Sequence, residues 1–263
     1  MKFIKKKKII KRHSSSFFIL IFILWYTKFG DFMELKIKDL NKNYDDKEVL
    51  KDINFTFKDN CIYGLIGRNG AGKTTFMNAI DSVIKVNSGE FLLDDKELDT
   101  NEIGFVVSTP LVPEFLTGKE FVQFYIDVHK DKIENLKDID YYFDLVDIDK
   151  KDQDKLLKDY SHGMKNKIQL LVNIINNPKI ILLDEPLVSL DVVVQDNIKK
   201  LLKSLKKDHI IIFSTHILEL AIDLCDEIVL LKDKSFSQVK KSNLSTKKYK
   251  DSILNALKEE KND

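Results

Sequence analysis

Cysteine is scarce. Cys61 and Cys225 are the only two in 263 residues, which excludes a disulfide scaffold and suits a reducing compartment. Glycine occurs nine times and proline four times, with 43% apolar and 32% charged residues. That composition excludes collagen-like and disordered chains. No apolar run approaches the roughly 20 residues that span a bilayer, so the chain is not a polytopic membrane protein. Charge of either sign is balanced to a net +1, which gives no global reason to expect a nucleic-acid partner. Arginine is nearly absent: only Arg12 and Arg68 stand among 43 basic residues. The length suits one large domain or two small ones, with enough apolar residues for a sizeable core.

Residues 1–32 differ from the rest. They hold eight Lys/Arg against one acid, Asp31, so this block carries +7 and the remainder −6. A basic stretch from Lys2 to Arg12 precedes three serines and ten apolar residues from Phe17 to Tyr26, with the only tryptophan, Trp25. Three readings stand: an upstream stretch before a true start at Met33, an interfacial anchor, or a signal peptide. Against the last, only Thr27-Lys28-Phe29-Gly30 follows where a small-residue cleavage site belongs.

From Met33 the pattern alternates strands and helices. Leu35-Lys36-Ile37 is strand-like, and Ile53, Phe55 and Phe57 alternate with polar residues as a half-buried strand. Cys61–Ile66 and Ile103–Val107 are further strands, with a helix expected from Thr74 to Ile84. Helical patterns follow at Glu120–Val128 and Tyr141–Val146. A third sets Met164, Ile168, Leu171, Val172 and Ile175 on one face. Ile180–Leu183, Ile210–Phe213 and Ile228–Leu231 are fully apolar and β-branched, as buried parallel strands require. The alternation predicts an α/β sheet with crossover helices. From Asp233 the chain turns lysine- and serine-rich, with a short amphipathic helix expected over Ser252–Lys258 in a docking tail.

Two motifs carry chemistry. Gly67-Arg68-Asn69-Gly70-Ala71-Gly72-Lys73-Thr74 matches G-x-x-x-x-G-K-[ST]. Glycines let backbone N–H groups turn inward and approach phosphates without a Cβ in the way. The helix starting there adds its positive end. Lys73 reaches the β- and γ-phosphates as a point charge, and the Thr74 hydroxyl is a ligand for Mg²⁺. The second motif, Ile180-Ile181-Leu182-Leu183-Asp184-Glu185, ends a buried strand in two carboxylates. There a nucleoside triphosphatase holds Mg²⁺ with the Asp, while Glu185 orients or deprotonates the attacking water. No N-K-x-D motif for guanine follows the loop, which argues against a GTPase.

Across residues 33–232 the chain resembles an ATP-binding cassette ATPase, the nucleotide-binding subunit of a transporter. Gly67–Thr75 resembles the family's phosphate loop and Asp184-Glu185 its second acidic motif. Tyr160-Ser161-His162-Gly163-Met164 stands where the family has its L-S-G-G-Q signature, Ser161 lying 23 residues before Asp184. Ser189-Leu190-Asp191 resembles the loop that touches the partner subunit. His216 resembles the switch histidine, 31 residues after Glu185. Tyr44 resembles the aromatic that stacks on adenine. The resemblance implies an α/β fold: a P-loop NTPase core with a small antiparallel β subdomain and a helical subdomain inserted at 109–177. Residues 233–263 form a lysine-rich C-terminal tail.

The implied site follows residue by residue. Gly67, Asn69, Gly70, Ala71, Gly72, Lys73, Thr74 and Thr75 bind the phosphates of ATP, with Tyr44 on the base. Thr74 and Asp184 hold Mg²⁺, and Glu185 and His216 are catalytic. Ser161 and Gly163 reach the γ-phosphate bound by a second ATP-binding subunit, the same chain or another. ATP closes that dimer, and hydrolysis reopens it. The remaining partner is an integral membrane permease, which places the chain at the cytoplasmic face of the cell membrane.

Three departures stand out. His162 replaces the signature's first glycine and Met164 its glutamine, a Y-S-x-G-M-K pattern that resembles the antimicrobial-peptide export and immunity branch. Ser108 stands where the family has its loop glutamine. Leu187-Val188 replaces the polar residues usual after Asp-Glu-Pro. Two alternatives remain at this point: a soluble single-cassette assembly factor, and a regulator that binds ATP without turning it over.

Overall fold

In the computed structural model of the chain, residues 32–131, 133, 135–187, 190–239 and 246–258 are described. The basic run, the apolar stretch Phe17–Tyr26, Val188 and Ser189 lie outside the described residues. Among the described residues two sheets form. The first is antiparallel, with strands β1 (Glu34–Tyr44), β2 (Lys47–Lys58), β4 (Ser88–Leu93) and β5 (Lys96–Glu97) in the order β2-β1-β4-β5. Leu35 and Ile37 face inward, and so does Leu40, although alternation would turn it outward. A register shift lies between Ile37 and Leu40, with Asp39 at φ 49°. The bulge flips the parity, so both halves of β1 keep apolar residues inside.

The second sheet has the order β10-β9-β3-β8-β7-β6. Its strands are β3 (Cys61–Ile66), β6 (Ile103–Val106), β7 (Ile180–Asp184), β8 (Ile210–Thr215), β9 (Glu227–Lys232) and β10 (Ser235–Val239). Neighbours among β6, β7, β8, β3 and β9 run parallel. Every residue of β7 and β8 is buried, which explains their continuous apolar runs. The carboxyl ends of β3, β7 and β8 meet at one edge, where α/β sheets hold their ligands.

The phosphate loop leads into α1 (Lys73–Ile80). This helix stops four residues before the expected Ile84, because Asp81 caps it and Ser82 takes φ 56°. Between β6 and β7 come α2 (Gly118–His129), α3 (Ile139–Leu145), the short α4 (Lys150–Gln153) and α5 (His162–Ile174). Helix α2 starts at Gly118, not Glu120, because Thr117 and Glu120 form a reciprocal capping box. Helices α6 (Val192–Leu205) and α7 (Leu218–Leu224) link β7, β8 and β9.

The expected boundary at residue 232 needs correction. The chain turns at Asp233 and Lys234, both at positive φ, and β10 pairs antiparallel with β9. Phe236 of β10 packs edge-on against Phe55 and Phe76, 5.8 and 4.7 Å between ring centroids. The Lys51 N–H donates to the Lys234 carbonyl at 2.8 Å, tying the two sheets together. The helix expected over Ser252–Lys258 is longer, α8 (Thr246–Lys258), and it buries Tyr249 and Ile253 in the main core. Lysine-rich composition had disguised an element whose inward residues recur every fourth position. Ile253→Ala is accordingly expected to destabilise the protein by about 2–5 kcal/mol, the usual cost of emptying a buried aliphatic site. Urea unfolding measures this, and an unchanged midpoint would mean that α8 is not part of the core.

Candidate functional site

The loop from Gly67 to Gly72 is shaped by its glycines. Gly70 and Gly72 sit at φ 82° and 106°, where other residues are strained. At Gly72 a Cβ would also come within 2.9 Å of Val49 Cγ1. The Ala71 N–H folds back on the Arg68 carbonyl at 3.1 Å. Lys73 opens α1 with its side chain 6% exposed. Its ammonium donates to the Gly67 carbonyl at 2.9 Å and the Arg68 carbonyl at 3.3 Å, and lies 3.6 Å from Glu185 Oε1. A buried cation held mainly by neutral carbonyls of its own loop is suited to exchange them for an anion.

The acidic motif meets this loop directly. Thr74 Oγ1 donates to Asp184 Oδ2 at 2.7 Å, joining the start of α1 to the end of β7. Glu185 follows at φ 52°. Its Oε2 lies 2.6 Å from His216 Nδ1, which carries the shared proton when the carboxylate is ionised. His216 lies just past β8, so residues from β3, β7 and β8 converge.

Ser214 was not singled out from the sequence. Its hydroxyl donates to Asp184 Oδ1 at 2.6 Å and accepts from the Glu185 N–H at 3.0 Å. The available signal was the pair of hydroxylic residues, Ser214 and Thr215, that ends a strand begun by three isoleucines and a phenylalanine, since a buried polar group needs a partner.

A cleft of about 420 Å³ opens over the loop, lined by Tyr44, Lys47, Val49, Asn69, Gly70, Gly72–Thr75 and Glu185. That is within the range of small-molecule sites. Tyr44 is 44% exposed, and the Lys42 ammonium covers one face of its ring at 4.4 Å from the centroid. A second cleft, about 490 Å³, lies on α2 beside Thr117, Lys119, Asp127 and Asp154. Its mixed charges include no phosphate-binding loop.

Ser161 and Gly163 do not line the nucleotide-sized cleft. Ser161 caps α5, its hydroxyl accepting from the Met164 N–H at 3.2 Å. A Cβ at Gly163 would stand 3.3 Å from Val194 of α6. His162 is exposed at the first turn of α5. The preceding Tyr160 is buried, donates to the Asp152 carbonyl at 2.9 Å, and is pushed up to about 12, chiefly by burial. The signature therefore sits on a separate surface, fixed to the helical insertion. Ser108 is exposed two residues beyond β6.

The residues fit a magnesium nucleotide. Positive-φ glycines open the loop, a buried ammonium faces the cleft, and a hydroxyl and a carboxylate oxygen lie together for a hard cation. A glycine loop between a buried parallel strand and a helix, facing carboxylates at a neighbouring strand end, defines a P-loop nucleoside triphosphatase. Residues 50–188 match the family model described as ABC transporter. The chain belongs to the ABC transporter family, as an ATP-binding ATPase subunit working with Mg²⁺. It is 31% identical over 207 residues to the uncharacterized ABC transporter ATP-binding protein YxlF of Bacillus subtilis (strain 168), across 77% of this chain and 69% of that one. It is 34% identical over 203 residues to the zinc import ATP-binding protein ZnuC of Rickettsia prowazekii (strain Madrid E), across 75% of this chain and 82% of that one. Its fold matches the dimeric post-hydrolysis structure of the ATP-binding cassette MJ0796 bound to ADP and Pi. There the TM-score is 0.69 at 24% identity, over 80% of this chain and 100% of that one.

Proposed function

We propose that the chain binds ATP in the cleft above Gly67–Thr75 and hydrolyses it within a dimer of cassettes, thereby driving a separate membrane permease. The observation that carries this reading is the convergence of Lys73, Thr74, Asp184, Glu185 and His216 at the strand ends: Thr74 and Ser214 bond Asp184, Ser214 bonds the Glu185 N–H, and Glu185 meets Lys73 and His216, all at 2.6 to 3.6 Å.

Lys73 gives up its loop carbonyls and binds the β- and γ-phosphates, while Tyr44 stacks its free face on the base. Thr74 and Asp184 hold Mg²⁺, which neutralises phosphate charge when bound. Glu185 orients the attacking water and takes its proton. His216, held by Glu185, donates to the γ-phosphate as charge develops there. Ser161 and the α5 N-terminus of the partner cassette cover the other side, so each copy supplies half of each site. The dimeric arrangement of the MJ0796 cassette supports this scheme.

The substrate is proposed to be a peptide, drug or lipid-like molecule that leaves the cell, on the strength of the Tyr160-Ser161-His162-Gly163-Met164-Lys165 signature. The permease holds the chain at the cytoplasmic face; among the described residues no helix is long and apolar enough to cross a membrane. The test is capture of the tagged chain from detergent-solubilised native membranes, with partners identified by mass spectrometry. A polytopic protein at near one-to-one ratio is expected, and its identity reports direction and substrate. Soluble partners alone would overturn the permease reading in favour of an assembly factor or regulator.

A further inference from the structure

We infer that Ser214 is a positioning residue for the hydrolysis, setting Asp184 and Glu185 through one hydroxyl. This rests on the roles proposed above for those two carboxylates. Ser214 lies in the middle strand of three, β8, opposite Asp184 of β7 and Leu65 of β3. It is fully buried. An apolar side chain at that position would bury without any partner, as Ile211, Ile212 and Phe213 do. A buried hydroxyl is stable only when bonded.

The hydroxyl has one proton and here two neighbours that settle its use. The Glu185 N–H can only donate, so the oxygen accepts from it at 3.0 Å. The proton is then directed to Asp184 Oδ1, and the 2.6 Å separation is that of a charge-assisted bond. Thr74 holds the other oxygen, Oδ2, at 2.7 Å. Two donors on two oxygens fix the plane of the Asp184 carboxylate, which is 4% exposed. The oxygen on the Thr74 side thus stays aimed at the place proposed for Mg²⁺.

The second bond acts on the next residue. Glu185 has φ 52°, a left-handed conformation that non-glycine residues adopt only when their surroundings hold them there. The bond from its N–H to Ser214 is one such restraint. It aims the Glu185 side chain away from the strand, to His216 and to Lys73. Losing the hydroxyl frees the carboxylate plane of Asp184 and the backbone turn of Glu185 together, while Lys73 keeps its bonds to the Gly67 and Arg68 carbonyls.

The test is Ser214→Ala in the full chain, assayed for steady-state phosphate release against ATP and against Mg²⁺. The expected result is a fall in kcat of about tenfold or more, as loss of a catalytic orienting bond gives. The KM for ATP should stay within about twofold. The Mg²⁺ concentration for half-maximal rate should rise several-fold, since supporting bonds tune ligand geometry. A role confined to stability would lower the urea midpoint and leave kcat per folded molecule and Mg²⁺ demand unchanged, and that result overturns the inference. Ser214→Cys, with a weaker donor in similar space, takes the same measurements should the alanine variant not fold, with losses in the same two quantities expected. A fully active Ser214→Ala beside an inactive Glu185→Gln overturns the role of Ser214 alone. A fully active Glu185→Gln overturns the underlying reading of the site.

Discussion

Lys73→Ala is expected to weaken Mg·ATP binding by about a hundredfold or more, on the scale of 2–5 kcal/mol for truncating one partner of a buried charge pair. The structure indicates why so little would compensate. Among the cations near the cleft, Lys73 is the buried one, at the first turn of α1. Lys47 also lines the cleft but is exposed, and an exposed lysine contributes a screened and weaker attraction. The backbone N–H groups of the loop remain, so binding falls without vanishing. The fold itself should survive. Lys73 donates to the Gly67 and Arg68 carbonyls, and removing a buried ammonium also removes its desolvation cost. Glu185 keeps His216 as a partner. Titration calorimetry with ATP and Mg²⁺ checks the loss, and a urea midpoint near that of the unchanged chain checks the fold. Micromolar binding retained by the variant would refute the placement of phosphates over this loop.

Most of the core sheet was legible because burial on both faces leaves a plain mark. Ile180–Leu183 and Ile210–Phe213 admit no polar residue, and both became central parallel strands. The phosphate loop was legible because its geometry demands glycine at Gly70 and Gly72. Other parts left weaker marks. Strand β4, Ser88–Leu93, and helices α6 and α7 were not singled out, since α6 mixes two exposed valines, Val192 and Val193, with an inward face of Ile198, Leu201 and Leu202. The C-terminal elements were misjudged as a tail because lysines on one face outnumber the two residues, Tyr249 and Ile253, that anchor α8. The role of Ser214 depends on a contact between β7 and β8 at one register position, Asp184 opposite Ser214. Linear spacing does not contain that register; only the folded sheet creates it.

Glu185→Gln separates binding from chemistry most sharply. Phosphate release is expected to fall about 10²- to 10⁴-fold, the usual contribution of a positioned general base, equivalent to roughly 3–5 kcal/mol in the barrier. The substitution keeps size and shape, so the contact with His216 persists with the amide oxygen accepting from Nδ1. What changes is charge. Lys73 loses the carboxylate now 3.6 Å away, and its ammonium is left with neutral carbonyls as its nearest partners. Phosphate then competes with less negative charge for the same cation, so ATP should bind as tightly as before or more tightly. Retained binding with blocked hydrolysis must accumulate the state that precedes bond cleavage. If that state is two cassettes closed over ATP, gel filtration of the variant with ATP will show a dimer that the unchanged chain only visits. The signature's place on a separate surface gives the physical reason for expecting this. Ser161 and Gly163 do not line the cleft that holds Lys73, and in the proposed scheme it is the partner copy that brings them to the γ-phosphate. A variant that binds ATP tightly, hydrolyses it slowly and stays monomeric would leave the half-site without its complement, and the closed-dimer scheme would fail.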